Sequence, residues 1–350
     1  MTGKQTLYQF ASEQMTAIVA HLIELSDATG NFQNYPSGSL AQGEETARLL
    51  LAGRGFDVTR LPDKSEWPTM WLSRAALPFR IEKAAATELY MRLGPFVEEM
   101  VATAFRETAS FSVVTPEWVK ANAHLLPIMM HAVGTFSKQE LARQFGAASD
   151  TGVSAKASER LVAEFNRIGA HAVPEESTVR ERMKGTTEGI VRDLIGRLLL
   201  EEFVVKALRV EGVPFLRERE YESLAGVVYD FRADFVVPDA RAPKAFIEVR
   251  KSSDRHASLY AKDKMFSAIN WKGRHKDAIG VLVTDGPWTE ASLNVLASIF
   301  DYVVPIGQVA QVARRVRQYL DGDKTALRWL ITFKIEAANP ISGQGSNQDP

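Results

Sequence analysis

Apolar side chains recur at helical spacing through most of the first 170 residues. Leu7, Ile18 and Leu22 share one such stripe, which predicts an amphipathic helix over about residues 5–26. The same periodicity predicts further helices over about residues 44–52, 81–106 and 117–132. The pattern therefore indicates a mainly α-helical N-terminal domain, which we assign to residues 1–180.

Two short helical patterns follow one another between residues 137 and 169. Ser137 and Glu140 fit a capping box at the start of the first helix, and Gly146 fits its end. Helices in tandem are typical of a helix-turn-helix that enters the DNA major groove. The connection over residues 147–153 is longer than the turn of about 3 to 4 residues in that motif. DNA recognition and ordinary helix packing therefore both remain open for this segment.

The pattern changes from about residue 181 to an alternation of helices and strands. Helices are predicted over about residues 187–210, 257–271, 289–300 and 308–320, and strands over 213–218, 229–237, 245–253, 278–283 and 302–306. This alternation is typical of a three-layer α/β domain, which we assign to residues 181–325. Residues 337–350 are small, polar and rich in Gly and Pro, which predicts a disordered tail.

Composition excludes several kinds of chemistry. The chain has no cysteine, so thiol nucleophiles and thiolate zinc sites are excluded, and its six histidines show no paired ligand spacing. It contains no G-x-x-x-x-G-K-[ST] loop, so we expect no nucleoside triphosphate partner. The net charge is −1, so any DNA-binding surface would be a local basic patch.

The hydropathy of the chain indicates a soluble protein. Hydrophobic content of 45% and charged content of 24% are ordinary for a globular protein. No apolar run reaches the roughly 18 to 20 residues that a membrane span requires, and the N-terminus lacks the apolar segment of a secretory signal. We therefore expect a cytoplasmic protein with no membrane partner.

Two carboxylates lie on neighbouring predicted strands. Asp234 belongs to the strand over residues 229–237, Glu248 belongs to the strand over 245–253, and a Pro-bounded turn separates them. A short hairpin would bring the two side chains together. Adjacent carboxylates disfavour each other's ionisation, so such a pair needs a proton, a basic partner or a divalent metal. Oxygen-only ligands favour Mg²⁺.

The order helix, three strands, helix, strand, with Asp234 on the second strand and Glu248-x-Arg250 on the third, resembles the core of the PD-(D/E)XK nuclease superfamily. The resemblance covers about residues 185–306. It implies a mixed β-sheet flanked by helices. It also implies that Asp234, Glu248 and the Val249 carbonyl hold a Mg²⁺ ion for phosphodiester hydrolysis.

The carboxylates also have a simpler interpretation, as solvated strand ends or as ion-pair partners of Arg232 and Arg250. A further acidic residue, Glu188, lies on the same helical stripe as Val191 and Ile195, which predicts that it points at the sheet. Members of the superfamily often place an acidic metal or water ligand on this first helix. A glutamate in a first helical turn also complements the helix dipole, so both roles remain open for Glu188.

Arg250 occupies the position of the family's lysine. An arginine is effectively always charged, so it can hold a phosphate or orient water but cannot act as a neutral base. Lys251 follows directly, but alternation directs it to the other face of the strand unless the strand is bulged.

The helix after this strand offers another basic residue. On a helical wheel Lys262 lies among apolar residues, namely Leu259, Met265, Phe266 and Ile269. The opposite face carries polar residues, namely Asp263, Lys264, Ser267 and Asn270. The wheel therefore predicts that Lys262 points inward, where Glu248 or a scissile phosphate would be its partner. Lys262 and Arg250 together are the candidate basic members of the site. Alternatively, Lys262 extends its stem along the core edge and reaches solvent.

Basic side chains are abundant around the two carboxylates. They are Arg250, Lys251, Arg255, His256, Lys262, Lys264, Lys272, Arg274, His275 and Lys276. Near a Mg²⁺ site, such a group would contact DNA phosphates and give salt-dependent binding. The same run in isolation is more often a solvated surface.

The resemblance implies a Mg²⁺-dependent endonuclease that hydrolyses double-stranded DNA, most like a type II restriction enzyme and commonly a homodimer. A non-catalytic DNA-binding or regulatory protein on a nuclease-like scaffold is an alternative, motivated by Arg250 and by the possible helix-turn-helix. A structure-specific repair nuclease is a nearer alternative.

Overall fold

In the computed structural model, which describes residues 4–135, 137–169, 175–251 and 257–332, the first half of the chain is helical. Its α-helices are α1 Leu7–Ala28, α2 Glu44–Gly53, α3 Trp67–Ser73, α4 Ile81–Glu107, α5 Pro116–Ala121, α6 Leu126–Ala132, α7 Lys138–Gln144, α8 Ala155–Ile168 and α9 Glu176–Leu194. The predicted apolar stripes form the core, in which Leu22, Leu50 and Leu89 are fully buried. The helices predicted in this half are therefore present, except that the one predicted over residues 117–132 is broken into α5 and α6 by a 3-10 turn at Ala123–Leu125.

The segment considered for a helix-turn-helix contains an extra element. Ser137 caps α7 by accepting a hydrogen bond from the Glu140 amide at 3.1 Å. Between α7 and α8 the chain forms an antiparallel hairpin of β1 Ala148–Ser149 and β2 Gly152–Val153. Phe165 of α8 is buried and stacks on Phe111, with ring centroids 4.9 Å apart. The connection is thus an ordered hairpin instead of the short turn that the motif requires.

The second half contains a mixed five-stranded sheet with helices, within the described residues. Its elements are α10 Glu201–Val210, β3 Leu216–Arg217, β4 Phe235–Val237, β5 Ala245–Lys251, α11 Ala257–Arg274, β6 Ile279–Asp285, α12 Glu290–Ala297, β7 Tyr302–Pro305 and α13 Val309–Leu320. Strands β3, β4 and β5 are antiparallel neighbours, whereas β6 and β7 continue the sheet in parallel. The α/β class with a mixed sheet is confirmed.

The second strand is shorter than its sequence pattern predicts, since β4 begins only at Phe235. The preceding loop is held by Asn270 of α11. Its side-chain oxygen accepts a hydrogen bond from the Val228 amide and its side-chain nitrogen donates to the Tyr229 carbonyl, both at 2.8 Å. These backbone groups are therefore satisfied by a helix, so the loop does not extend the strand.

The chain divides into two compact units, Met1–Glu202 and Phe203–Pro350. The division lies further along the chain than the boundary that we predicted at residue 180. Among the described residues, no helix combines the length and the apolar character that crossing a membrane requires. The predicted disordered tail over 337–350 lies outside the described residues.

Candidate functional site

The β4–β5 hairpin aligns the two predicted carboxylates. In its antiparallel register Phe235 pairs with Ile247, so one further step places Asp234, the residue just before β4, opposite Glu248. The Val249 amide donates a hydrogen bond of 2.7 Å to Asp234 Oδ2. Because directly opposite residues share a face of the sheet, the two carboxylates belong to one site.

Tyr221 supports the segment that carries Asp234. Its hydroxyl accepts a hydrogen bond from the Ala233 amide and donates one to the Ala233 carbonyl, both at 2.7 Å. Burial raises the pKa of Tyr221, and the charges of Glu248 and Asp234 add to that effect. The sequence pattern carried no signal for Tyr221 or for the loop-holding Asn270, because both act through backbone atoms of residues distant in the chain.

Glu248 is buried and incompletely paired. Its side chain is only 1% exposed, and neither Oε1 nor Oε2 accepts a hydrogen bond of good geometry from the described residues, although Lys264 and Arg250 lie within ion-pair distance of Oε2. The pKa of Glu248 is raised to about 7, chiefly by burial and also by the nearby charge of Asp234, whereas Lys264 and Arg250 oppose the increase. A buried carboxylate without a full set of donors costs free energy, so its presence here favours a functional role.

Lys264 is the principal basic partner of this carboxylate. Its Nζ lies 2.8 Å from Glu248 Oε2, and its side chain is only 4% exposed. Arg250 lies on the same face of β5 as Glu248, as alternation predicts, with Nη2 3.5 Å from Glu248 Oε2 and Nη1 3.9 Å from Asp234 Oδ2. Burial alone would lower the pKa of Arg250, but Glu248 and Asp234 more than offset this effect and raise it.

The prediction that Lys262 points inward is wrong. Lys262 is exposed, and so are Leu259 and Phe266 of its face of the wheel, at 61% and 62%, whereas Met265 and Ile269 are half-buried. The inward face instead carries Ala261, Lys264, Ala268 and Trp271. Small alanines allow α11 to lie close to the sheet, and its buried lysine is accommodated by a carboxylate. The spacing i, i+3, i+7, i+10 of this stripe is the signal that could have identified Lys264.

Two of the predicted DNA contacts, Lys264 and Lys272, are wrong because both side chains are buried. Lys272 is fully buried in an ion pair with Asp301 and cannot reach a phosphate. Arg274 is exposed and Lys251 is partly buried, so these residues remain candidates for DNA contacts. Arg255 and His256 lie outside the described residues.

The prediction that Glu188 points inward from its helix is wrong. It is exposed on α9 within the first unit, whereas Val191 on its stripe is buried. The charge of Glu188 acts on Tyr90 of α4, where burial and this charge together raise the pKa of the tyrosine. A glutamate at the edge of an apolar stripe can direct its carboxylate to solvent, so the stripe alone did not determine its orientation.

The donor set of the site fits Mg²⁺ in its chemistry. Asp234 and Glu248 provide carboxylate oxygens, and Glu248 Oε1 has no other partner among the described residues. Mg²⁺ commonly binds through one or two carboxylates and keeps several waters. In the part of the chain that the structure describes, no group of three or more His, Cys, Asp or Glu side chains is arranged to hold a metal. Waters or substrate oxygens would therefore have to complete the coordination.

Comparison with known proteins assigns no family to this chain. No protein-family model, curated protein or solved structure matched it. The interpretation of the site therefore depends on the geometry of its own residues.

Proposed function

We propose that this protein is a Mg²⁺-dependent endonuclease that hydrolyses phosphodiester bonds of double-stranded DNA, in the manner of a type II restriction enzyme. The observation that carries the proposal is the alignment of Asp234 with Glu248 across β4 and β5. Glu248 is buried beside a second carboxylate and has an oxygen without a donor. Burying a carboxylate beside a second carboxylate costs free energy that a purely structural role would not require, and a divalent cation would offset this cost.

The topology supports the same proposal. Helix α10, the antiparallel strands β3, β4 and β5, helix α11 and the parallel strand β6 follow one another in the order on which the family resemblance was based. Glu248 and Arg250 lie on β5, and Asp234 directly precedes β4.

The residues of the site have separable roles in hydrolysis. Asp234 and Glu248 would hold the Mg²⁺ ion, which supplies positive charge for the pentavalent transition state and lowers the pKa of the attacking water. Arg250 is 37% exposed, so its guanidinium is accessible to a phosphate from solvent while it contacts both carboxylates. A planar guanidinium suits bidentate contact with phosphate oxygens. A homodimer would supply one such site for each DNA strand.

The direct test is incubation of the purified protein with a mixed-sequence plasmid and Mg²⁺. We expect cleavage that EDTA abolishes, and Asp234→Asn or Glu248→Gln should slow it by a factor on the order of 10³, about 4 kcal/mol of transition-state stabilisation. Asp230→Asn is the matched control, because Asp230 is an exposed acid in the loop before β4. Absence of cleavage, or full activity in both site variants, would reject the proposal.

A second candidate is a non-catalytic DNA-binding protein on the same scaffold. It is favoured by the contacts that Lys264 and Arg250 make to Glu248, because these cations compensate the carboxylate without a metal. Metal-independent DNA binding without any cleavage would support this candidate. Cleavage restricted to flaps, junctions or mismatches would instead indicate a repair nuclease.

A further inference from the structure

Lys264 and Arg250 contact the same carboxylate oxygen from different elements. Lys264 reaches Glu248 Oε2 from α11 at 2.8 Å, whereas Arg250 reaches it from β5 at 3.5 Å. The lysine side chain is 4% exposed and the arginine side chain 37% exposed. The shorter contact therefore comes from the group that is less accessible to a substrate.

The surroundings of Lys264 restrict what it can do. Its other contacts are Asp263 Oδ2 at 3.6 Å and the ring of Phe231, whose centroid lies 6.0 Å from Nζ. Asp263 is largely exposed, so Glu248 is the partner that offsets the desolvation of the ammonium group. An ammonium held in this way can orient a carboxylate but has little access to a phosphate in solvent.

We infer that Lys264 is a positioning residue, which holds Glu248 by Oε2 and leaves Oε1 available to a divalent ion, while Arg250 serves the substrate phosphate. This inference rests on the proposed function. Both cations approach Oε2, Lys264 at 2.8 Å and Arg250 at 3.5 Å. Neither carboxylate oxygen accepts a hydrogen bond of good geometry from the described residues, so Oε1 is the oxygen with fewer competing contacts. The family resemblance implies one basic residue at this position of the site. Here two basic residues share its role, Lys264 on α11 and Arg250 on β5.

The test compares Lys264→Met with Lys262→Met, since the control removes an exposed lysine two positions away on the same helix. Mn²⁺ binding is measured by titration calorimetry, and cleavage of plasmid DNA gives kcat and KM. Partners that orient metal ligands typically contribute 10- to 100-fold to metal affinity or activity. We therefore expect Lys264→Met to weaken Mn²⁺ binding and lower kcat by roughly 10- to 100-fold with little change in KM.

Three further measurements separate positioning from a structural role. Lys264→Arg should restore part of the Mn²⁺ affinity, Lys262→Met should bind Mn²⁺ as the wild type does, and Arg250→Met should mainly raise the KM for DNA. Lys264→Gln replaces Lys264→Met in the titration if circular dichroism shows that the methionine variant is unfolded.

Unchanged Mn²⁺ affinity and kcat in folded Lys264 variants would overturn the inference while leaving the proposed function intact. An equal loss in Lys262→Met would also overturn it. A wild-type protein that neither binds Mn²⁺ nor cuts DNA would instead reject the proposed function itself.

Discussion

Helix α11 carries two buried lysines, and each is paired with a carboxylate of the sheet region. Lys272 pairs with Asp301 Oδ2, which also accepts a hydrogen bond from the Gly280 amide at 2.8 Å. The other oxygen, Oδ1, accepts hydrogen bonds from the amides of Arg328 and Trp329 at 2.7 and 2.9 Å. Every oxygen of Asp301 therefore has a donor. A buried ion pair is tolerated when such additional hydrogen bonds satisfy its remaining atoms.

The Lys264–Glu248 pair lacks such additional hydrogen bonds. Glu248 Oε1 has no donor among the described residues, and a second carboxylate, Asp234, raises its pKa further. Both pairs lie on one helix and are equally inaccessible, so burial alone does not distinguish a structural ion pair from a candidate site. The difference lies in how many hydrogen-bonding positions of the carboxylate are already occupied.

The largest expected effect on the free energy of unfolding comes from disrupting the Lys272–Asp301 pair. Asp301→Asn would leave Lys272 buried without a counter-charge and would direct amide hydrogens toward backbone donors, so we expect a loss of about 3 to 5 kcal/mol in the free energy of unfolding. Chemical denaturation at neutral pH measures this loss. Glu248→Gln is the comparison. It also removes the counter-charge of a buried lysine, but it breaks no hydrogen bond from a backbone amide, so it should cost less than Asp301→Asn. Equal losses in the two variants would remove the distinction between the pairs.

A second prediction concerns how the free energy of unfolding depends on pH through Glu248 of the Lys264–Glu248 pair. The folded protein holds the Glu248 proton more tightly than the unfolded chain, with a pKa of about 7 against an ordinary value of 4.5. The stability that this group contributes is therefore complete below about pH 4.5 and is lost as the pH rises through about 7. Glu248→Gln cannot lose a proton, so its free energy of unfolding should rise relative to wild type by about 2 to 3 kcal/mol between pH 4.5 and 8.

Denaturation curves of wild type and Glu248→Gln across this pH range provide the measurement. Asp230→Asn is again the control, since it removes an exposed carboxylate outside the Lys264–Glu248 pair. A difference between Glu248→Gln and wild type that stays constant from pH 4.5 to 8 would contradict the raised pKa.

The sequence was sufficient to predict the strand that carries Glu248 and the hairpin that places Asp234 opposite it. Period-two alternation and the Pro-bounded turn predicted the hairpin, so the proximity of Asp234 and Glu248 and the shared face of Glu248 and Arg250 followed from local rules. The start of β4 was not predictable in this way. It depends on Asn270, which hydrogen bonds to backbone atoms about 40 residues away in the chain.

The face of α11 was misjudged for a related reason. A hydrophobic stripe predicts the buried face only when polar side chains are excluded from the core. In α11 two polar residues, Lys264 and Asn270, are buried because Glu248 of the sheet and the loop before β4 offer them partners. A helical wheel drawn from the sequence of α11 alone cannot show these partners, because they belong to other elements of the fold.

The smallest expected effect tests this orientation of α11. Phe266 is 62% exposed, so Phe266→Ser should change the free energy of unfolding by at most about 1 kcal/mol. Ala268 is fully buried on the inward face, so Ala268→Leu should cost about 1 to 3 kcal/mol by overpacking against the sheet. Were the stripe containing Phe266 the inward one, its truncation would cost about 3 to 5 kcal/mol and the leucine would be tolerated. Denaturation of the two variants decides between these orientations, and only the observed one brings Lys264 to Glu248.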